Sequence, residues 1–415
     1  MVRDPLDEAS DSSEEPSYEG SRTLAGMLKR GRGSGIWQAR RDPAAAAAVV
    51  RELIAHDWRW DFIDDRDLYL ARLVQGLELP LDPVVALLGG DEDDCERASG
   101  VLCRLALAGS VEARGALRDY VGDGRHWMDV LEDMARIWPV EWWDDLADVA
   151  RARLDGERPY HGKSEPWVRW RDRIPVRPPA MKACRHALQI EAGTDRLLAL
   201  LADPGETDHA KGNAIRALSE RPPEPALVPL VPWLGTADGE RSLPLLGRAV
   251  ARLGALAVPA AREWAQDERP WLSWTGIQVL AERGEAQDVP VLTADLQKQW
   301  EQRCWCGPAL IAEGLARHGT EATDAVPLLR KYWVCTPHSY ERTAYLKALA
   351  AIDPAGLEPA YVEALWDCEP ATRLLGIASA PDEPFVRKQI AALAADPMEE
   401  PEVREAAKAR TADLS

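Results

Sequence analysis

Five stretches in the second half of this 415-residue chain can be laid over one another, and this self-similarity restricts the fold more than any other feature. Asn213–Leu218, Arg248–Leu253, Gly276–Leu280, Ile311–Leu315 and Tyr345–Leu349 each end on a leucine, and those leucines stand 35, 27, 35 and 34 residues apart. After each comes a short turn carrying Gly, Asp or Pro, then a second apolar stretch with proline near its start: Pro225, Pro259, Pro290, Pro327 and Pro359. Proline is tolerated at the head of a helix because the N–H it lacks would have no intrahelical partner there. Each unit therefore predicts two helices, neither with an apolar stripe wide enough to be buried alone. Such units must stack on their neighbours to close a core. The expected fold is all-α: a right-handed α-solenoid of stacked antiparallel helix pairs.

These units resemble the short HEAT-like repeats of bacterial proteins, among them the repeats of phycobilisome lyases, within the wider armadillo-type class. The resemblance covers residues 182–396, and Leu102, Leu105, Leu107, Ala113 and Leu117 form one more degenerate unit within 83–156. A tetratricopeptide array has a similar period, but its Trp-Leu-Gly-Tyr signature is missing and it places no proline at the head of each second helix. What the resemblance implies is a scaffold that binds a partner on a concave face.

Upstream of the repeats the pattern changes. Residues 1–21 hold seven acids and one arginine, and residues 22–41 hold six basic residues and no acid, interrupted by Gly31, Gly33 and Gly35. So little apolar surface predicts a disordered tail over 1–41, acidic and then basic. Asp42-Pro43 reads as an N-cap with proline at the first helical position. It opens an N-terminal helical region over 42–157, with further helices through Leu68–Leu77 and from Pro83 onward. Residues 158–181 carry five prolines and form an insertion or joint; 397–415 read as a C-terminal capping helix and tail.

Net charge is −19, and it is unevenly spread. Residues 42–157 carry 26 acids against 12 bases and residues 182–415 carry 34 against 25, whereas 158–181 carry six bases against two acids. An acidic body disfavours nucleic acid and anionic lipid, both of which require phosphates to be neutralised, and suits a basic protein or peptide. No run approaches the roughly 20 apolar residues of a membrane span and no apolar leader opens the chain, so a cytoplasmic location is expected. The alanine- and arginine-rich usage suggests a bacterial source.

With two Phe against 17 Trp, tryptophan supplies the large apolar contacts. The candidate partner-binding residues are Trp167, Arg169, Trp170, Arg171 and Arg173 in the joint, a mixture able to stack on bases or grip phosphates and carboxylates. The opposing expectation for that segment is that its arginines pair with Glu141, Asp144, Asp145 and Asp148 of the same chain. Trp233, Trp271, Trp274, Trp305 and Trp333 are the candidate anchors on the repeats, since Trp and Arg dominate binding hot spots.

No catalytic residue, cofactor site or metal site is expected. The acidic run Asp57–Asp67 has no fixed ligand spacing, Cys304-Trp305-Cys306 lacks the second pair that zinc needs, and the seven histidines fall in no Ser-His-Asp or Cys-His order. The expected function is thus a non-catalytic interaction scaffold. The alternatives from other classes are a HEAT-like alkylpurine DNA glycosylase, which needs a basic concave face, and a chromophore lyase or chaperone.

Overall fold

The computed structural model describes residues 18–154, 164–174 and 193–413. Among these the regular structure is helical, and the one β feature is an isolated antiparallel bridge between Gly235 and Ser242. None of the described helices is long and apolar enough to cross a membrane. The chain divides into two compact units, one of residues 1–179, 335–343 and 356–415, the other of residues 180–334 and 344–355. The expected array over 182–396 is thus split, its last helices belonging with the N-terminal region.

In the second unit, α10 (Thr194–Ala202), α11 (Asp208–Ser219), α12 (Leu246–Leu253), α13 (Val258–Trp264), α14 (Pro270–Arg283), α15 (Val289–Glu301), α16 (Pro308–Ala316) and α17 (Val326–Cys335) follow one another, with α18 (Arg342–Ile352) returning at the end. All five anchor leucines are buried. Pro259 and Pro290 stand in the first turn of their helices, as expected. The extensive pairings are α10 with α11, α13 with α14 and α15 with α16. At α13 and α15 the hairpin therefore joins a proline-headed helix to the leucine-anchored helix after it. Leucine-anchored helices also touch in series, α11 on α12, α12 on α14 and α14 on α16. Residues Pro225–Trp233 form a 3-10 helix instead, because Pro229 and Pro232 inside it remove the amide donors an α-helix needs.

The first unit begins with α1 (Leu24–Lys29), α2 (Gly33–Arg41), α3 (Pro43–Ala55), α4 (Asp67–Gly76), α5 (Asp82–Leu87), α6 (Glu92–Leu107), α7 (Val111–Asp123), α8 (Trp127–Ile137) and α9 (Ala147–Leu154). It is completed by α19 (Glu358–Ala364), α20 (Pro370–Ser379), α21 (Pro384–Ala395) and α22 (Pro401–Asp413). Asp42 caps α3 as the sequence predicts, its carboxylate accepting from the Ala45 amide at 3.1 Å. Asp91 does the same for α6, whose first turn adds Glu92, Asp93 and Asp94 against the positive end of the helix dipole. Helix α6 is the hub of this unit, packing on α4, α7 and α8.

The tail expected over 1–41 is corrected for its basic half; residues 1–17 lie outside the described residues. Residues 24–29 and 33–41 are helical, and Lys29, Arg30 and Arg32 are buried. The two arginines have partners distant in the chain: Arg32 forms a two-pronged contact with Glu363 at 2.9 Å on each nitrogen, and Arg30 Nε donates to the Cys335 carbonyl at 2.9 Å. The glycines permit this approach. Gly31, at φ 66°, sits where a Cβ would collide with Cys368, and a Cβ at Gly33 would collide with the Glu363 carbonyl.

Candidate functional site

The joint segment is tied to its own unit. Trp167 and Trp170 are buried and meet edge-on at 6.0 Å, with Trp127 at 6.3 Å from the first ring and Trp143 at 5.6 Å from the second. Both indole N–H groups are spent, Trp167 on Glu132 at 2.5 Å and Trp170 on Asp144 at 2.9 Å. Asp144 also takes Arg169 at 2.8 Å and Arg173 at 3.4 Å. The Trp170 hydrogen bond first, then the arginines, hold its carboxyl below the usual range. Of the five candidates in this segment, Arg171 alone stays exposed with no partner beside it among the described residues. The ligand-gripping expectation gives way to the pairing expectation, with Asp144 as the hub. Residues 158–163 and 175–181 of the segment lie outside the described residues.

The expected anchors on the repeats separate by exposure. Trp271, Trp305 and Trp333 are buried, and Trp274 is half-buried with its ring against Gly307. Trp305 belongs to an edge-on cluster with Trp300 at 5.7 Å and Tyr332 at 5.8 Å, so it fills the interior. Trp233 is 76% exposed and is the only one of the five free to meet a partner. The broken helix Pro225–Trp233 puts it there.

Two polar assemblies in the first unit were not legible in the sequence. One is a buried charge network around Asp64. Its Oδ1 accepts from His338 Nδ1 at 2.8 Å, Ser339 Oγ at 2.9 Å and the Tyr340 amide at 2.9 Å. Its Oδ2 accepts from the amides of Trp60 and Asp61 at 3.0 and 3.1 Å. Burial alone would raise this carboxyl; the His338 bond and the charge of Arg66 outweigh it and hold the group well below the usual range. Arg66 donates to Ser339 at 2.7 Å and to the Cys368 thiol at 2.9 Å. Despite two guanidiniums nearby, burial pushes that thiol far up, so it is no nucleophile.

Glu369 shares the Ser339 hydroxyl with Asp64, and burial together with Asp65 pushes its carboxyl up to about 7. The single Ser339 proton serves Asp64 or Glu369, while the hydroxyl oxygen accepts from Arg66. His338, Ser339 and Asp64 therefore form no catalytic relay: imidazole and hydroxyl both point at one carboxylate oxygen, and the hydroxyl does not reach the imidazole.

The other assembly is an acidic cavity of about 620 Å³ between α6 and α8. Glu92, Cys95, Glu96 and Ser99 recur at one face of α6, and Asp129, Glu132, Asp133 and Arg136 at one face of α8; Glu165 and His126 complete the rim. Six carboxylates thus face one guanidinium. Asp133 is held by Arg136 at 2.7 Å and Ser99 at 2.5 Å, whereas Glu92 and Asp129 stand exposed at the mouth. The crowding reaches inward. Burial, then the charges of Asp65 and Asp133, push Asp67 up to about 7 behind this wall. The signal was present as acids at helical spacing in 91–96 and 129–133, but only the packing of α6 on α8 brings the two faces together.

No protein-family model matches this chain, and no curated protein matches it. A solved structure of an engineered protein aligns over 98% of this chain and 96% of its own, at 14% identity and a TM-score of 0.26.

Proposed function

We propose that this chain is a non-catalytic binding protein built from HEAT-type helical repeats, and that its partner is a protein or peptide presenting lysine and arginine side chains. The observation that carries the reading is the cavity on α6 and α8, where six carboxylates oppose one arginine. A cation inserted there meets several acceptors at once, and charge-assisted hydrogen bonds of this kind are about twice as strong as neutral ones. A cleft of one sign also concentrates ions of the other sign and speeds their arrival. The overall charge of −19 acts in the same direction.

A scaffold role also agrees with the chemistry of the polar groups. Asp64, His338 and Ser339 are buried and spent on one another, and the Cys368 thiol is held protonated. A phosphate backbone would meet walls of its own sign at the cavity, which disfavours the glycosylase alternative.

The test is a titration of a labelled lysine- and arginine-rich peptide into the protein at about 50 and 200 mM salt, followed by anisotropy, with a DNA duplex of similar size as the second titrant. Saturable peptide binding that weakens with salt, and no binding of the duplex, is expected. Preference for the duplex would overturn the reading.

A further inference from the structure

A second cavity lies on other helices of the first unit and has the opposite character. It encloses about 250 Å³ between α2, α4 and α21. Its apolar walls are Ile36, Leu73, Leu77, Leu393, Met398 and Trp366. Two guanidiniums complete it. Arg72 is locked in place by Asp396, which takes its Nε and Nη2 at 3.1 and 2.7 Å, and by Glu399, which takes Nη2 at 2.7 Å. Its remaining nitrogen, Nη1, has no hydrogen-bond partner among the described residues, nor is it buried. Arg40 stands exposed on the same lining, and no carboxylate pairs with it among the described residues.

The charge balance fixes the sign of what fits. Glu399 also takes Arg373 at 2.7 Å, so Arg72 and Arg373 are matched by Asp396 and Glu399. Arg40 is then the uncompensated charge at the cavity. Asp396 offers nothing to a cation, since its oxygens are occupied by Arg72 and by the Met398 amide at 2.9 Å. A ligand pocket needs an apolar body and a few convergent polar groups that fix orientation, and this cleft has both on a small scale. A guanidinium pre-set by two carboxylates presents its free N–H at no ordering cost.

We propose that this cleft binds a small monocarboxylate with an apolar body, the carboxylate bridging Arg40 and the open Nη1 of Arg72 and the hydrocarbon lying against Leu73, Leu393 and Trp366. One charged end matches one uncompensated cation. A dicarboxylate or a phosphate ester would drive a second charge into the apolar walls. The site shares no residue with the acidic cavity, so the two assignments stand or fall separately.

Calorimetric titration with octanoate tests it, using 1-octanol as the uncharged probe of the same length. Octanoate is expected to bind at one site with Kd on the order of 0.1–1 mM, the range open to about ten non-hydrogen atoms. The alcohol should bind at least about tenfold more weakly, and Arg40→Gln should cost octanoate about tenfold, the loss expected for one charged hydrogen bond. Ala392→Trp, at an exposed lining position of α21, should fill the cleft and abolish binding. Both substitutions fall on exposed side chains, and circular dichroism confirms that each variant folds. Absence of saturable binding, equal affinity for the alcohol, or unchanged affinity in either variant would overturn the assignment.

Discussion

Asp64 collects five donors from two stretches of chain, and its worth is best seen in what its removal leaves behind. Asp64→Ala strands an imidazole, a hydroxyl and three amides. About 3–5 kcal/mol is the usual cost of breaking a buried pair by removing one partner. Denaturant midpoints read this directly, and a loss under about 1 kcal/mol would show that the network contributes little. The carboxyls around it titrate in opposite senses. Asp64, Glu363 and Glu399 lie below their ordinary range, so their stabilisation is present above the unfolded pKa and is lost as pH falls. Asp67 and Glu369 lie raised, at about 7, so theirs is present below the unfolded pKa and is lost as pH rises through 7. Stability should therefore peak in mildly acid solution. Asp67→Asn and Glu369→Gln, which keep the shape of the protonated acid, should each stabilise the protein most at about pH 8 and progressively less down to about pH 4, the unfolded carboxyl range. Urea midpoints across that range check the sign, and equal effects at both pH values would show that neither acid holds its proton.

At the scale of elements, the short segment 164–174 is held by its two tryptophans rather than by its arginines. Trp170→Ala is expected to cost about 3–5 kcal/mol, as for other large aromatic truncations. Arg169→Gln and Arg173→Gln should cost under about 1 kcal/mol each, because both pairs are exposed to water. Thermal unfolding of the three variants separates these. The same contrast explains what was legible beforehand. Local signals carried through: the cap at Asp42, the prolines heading α13 and α15, and the five anchor leucines in the core. Each depends only on neighbours a few residues away. The basic stretch 22–41 misled because its charge has local meaning only without Glu363, some 330 residues later in the chain. Its glycines read as flexibility, yet Gly31 and Gly33 are the points where two backbones meet. Trp271, Trp305 and Trp333 misled in the opposite direction, since a tryptophan that fills the interior and one that anchors a partner look alike without the fold around them. Neither the acidic cavity nor the octanoate cleft could be anticipated, because each is assembled from helices whose register the sequence does not disclose.

For the whole molecule, we propose that an acidic helical protein receives a basic partner at the face where α6 meets α8. Trp233, exposed in the other unit, makes a useful control: Trp233→Ala should leave stability within about 0.5 kcal/mol, since most of the residue is exposed. Charge reversal at the mouth of the cavity separates this partner site from any other. Glu92→Lys combined with Asp129→Lys alters two exposed side chains and leaves the core untouched. The variant and the native protein would be titrated with the same lysine- and arginine-rich peptide at about 50 mM salt. A loss of affinity of at least about tenfold is expected, with the difference shrinking as salt is raised. Equal affinity of the two proteins at low salt would contradict it and place the partner's surface elsewhere.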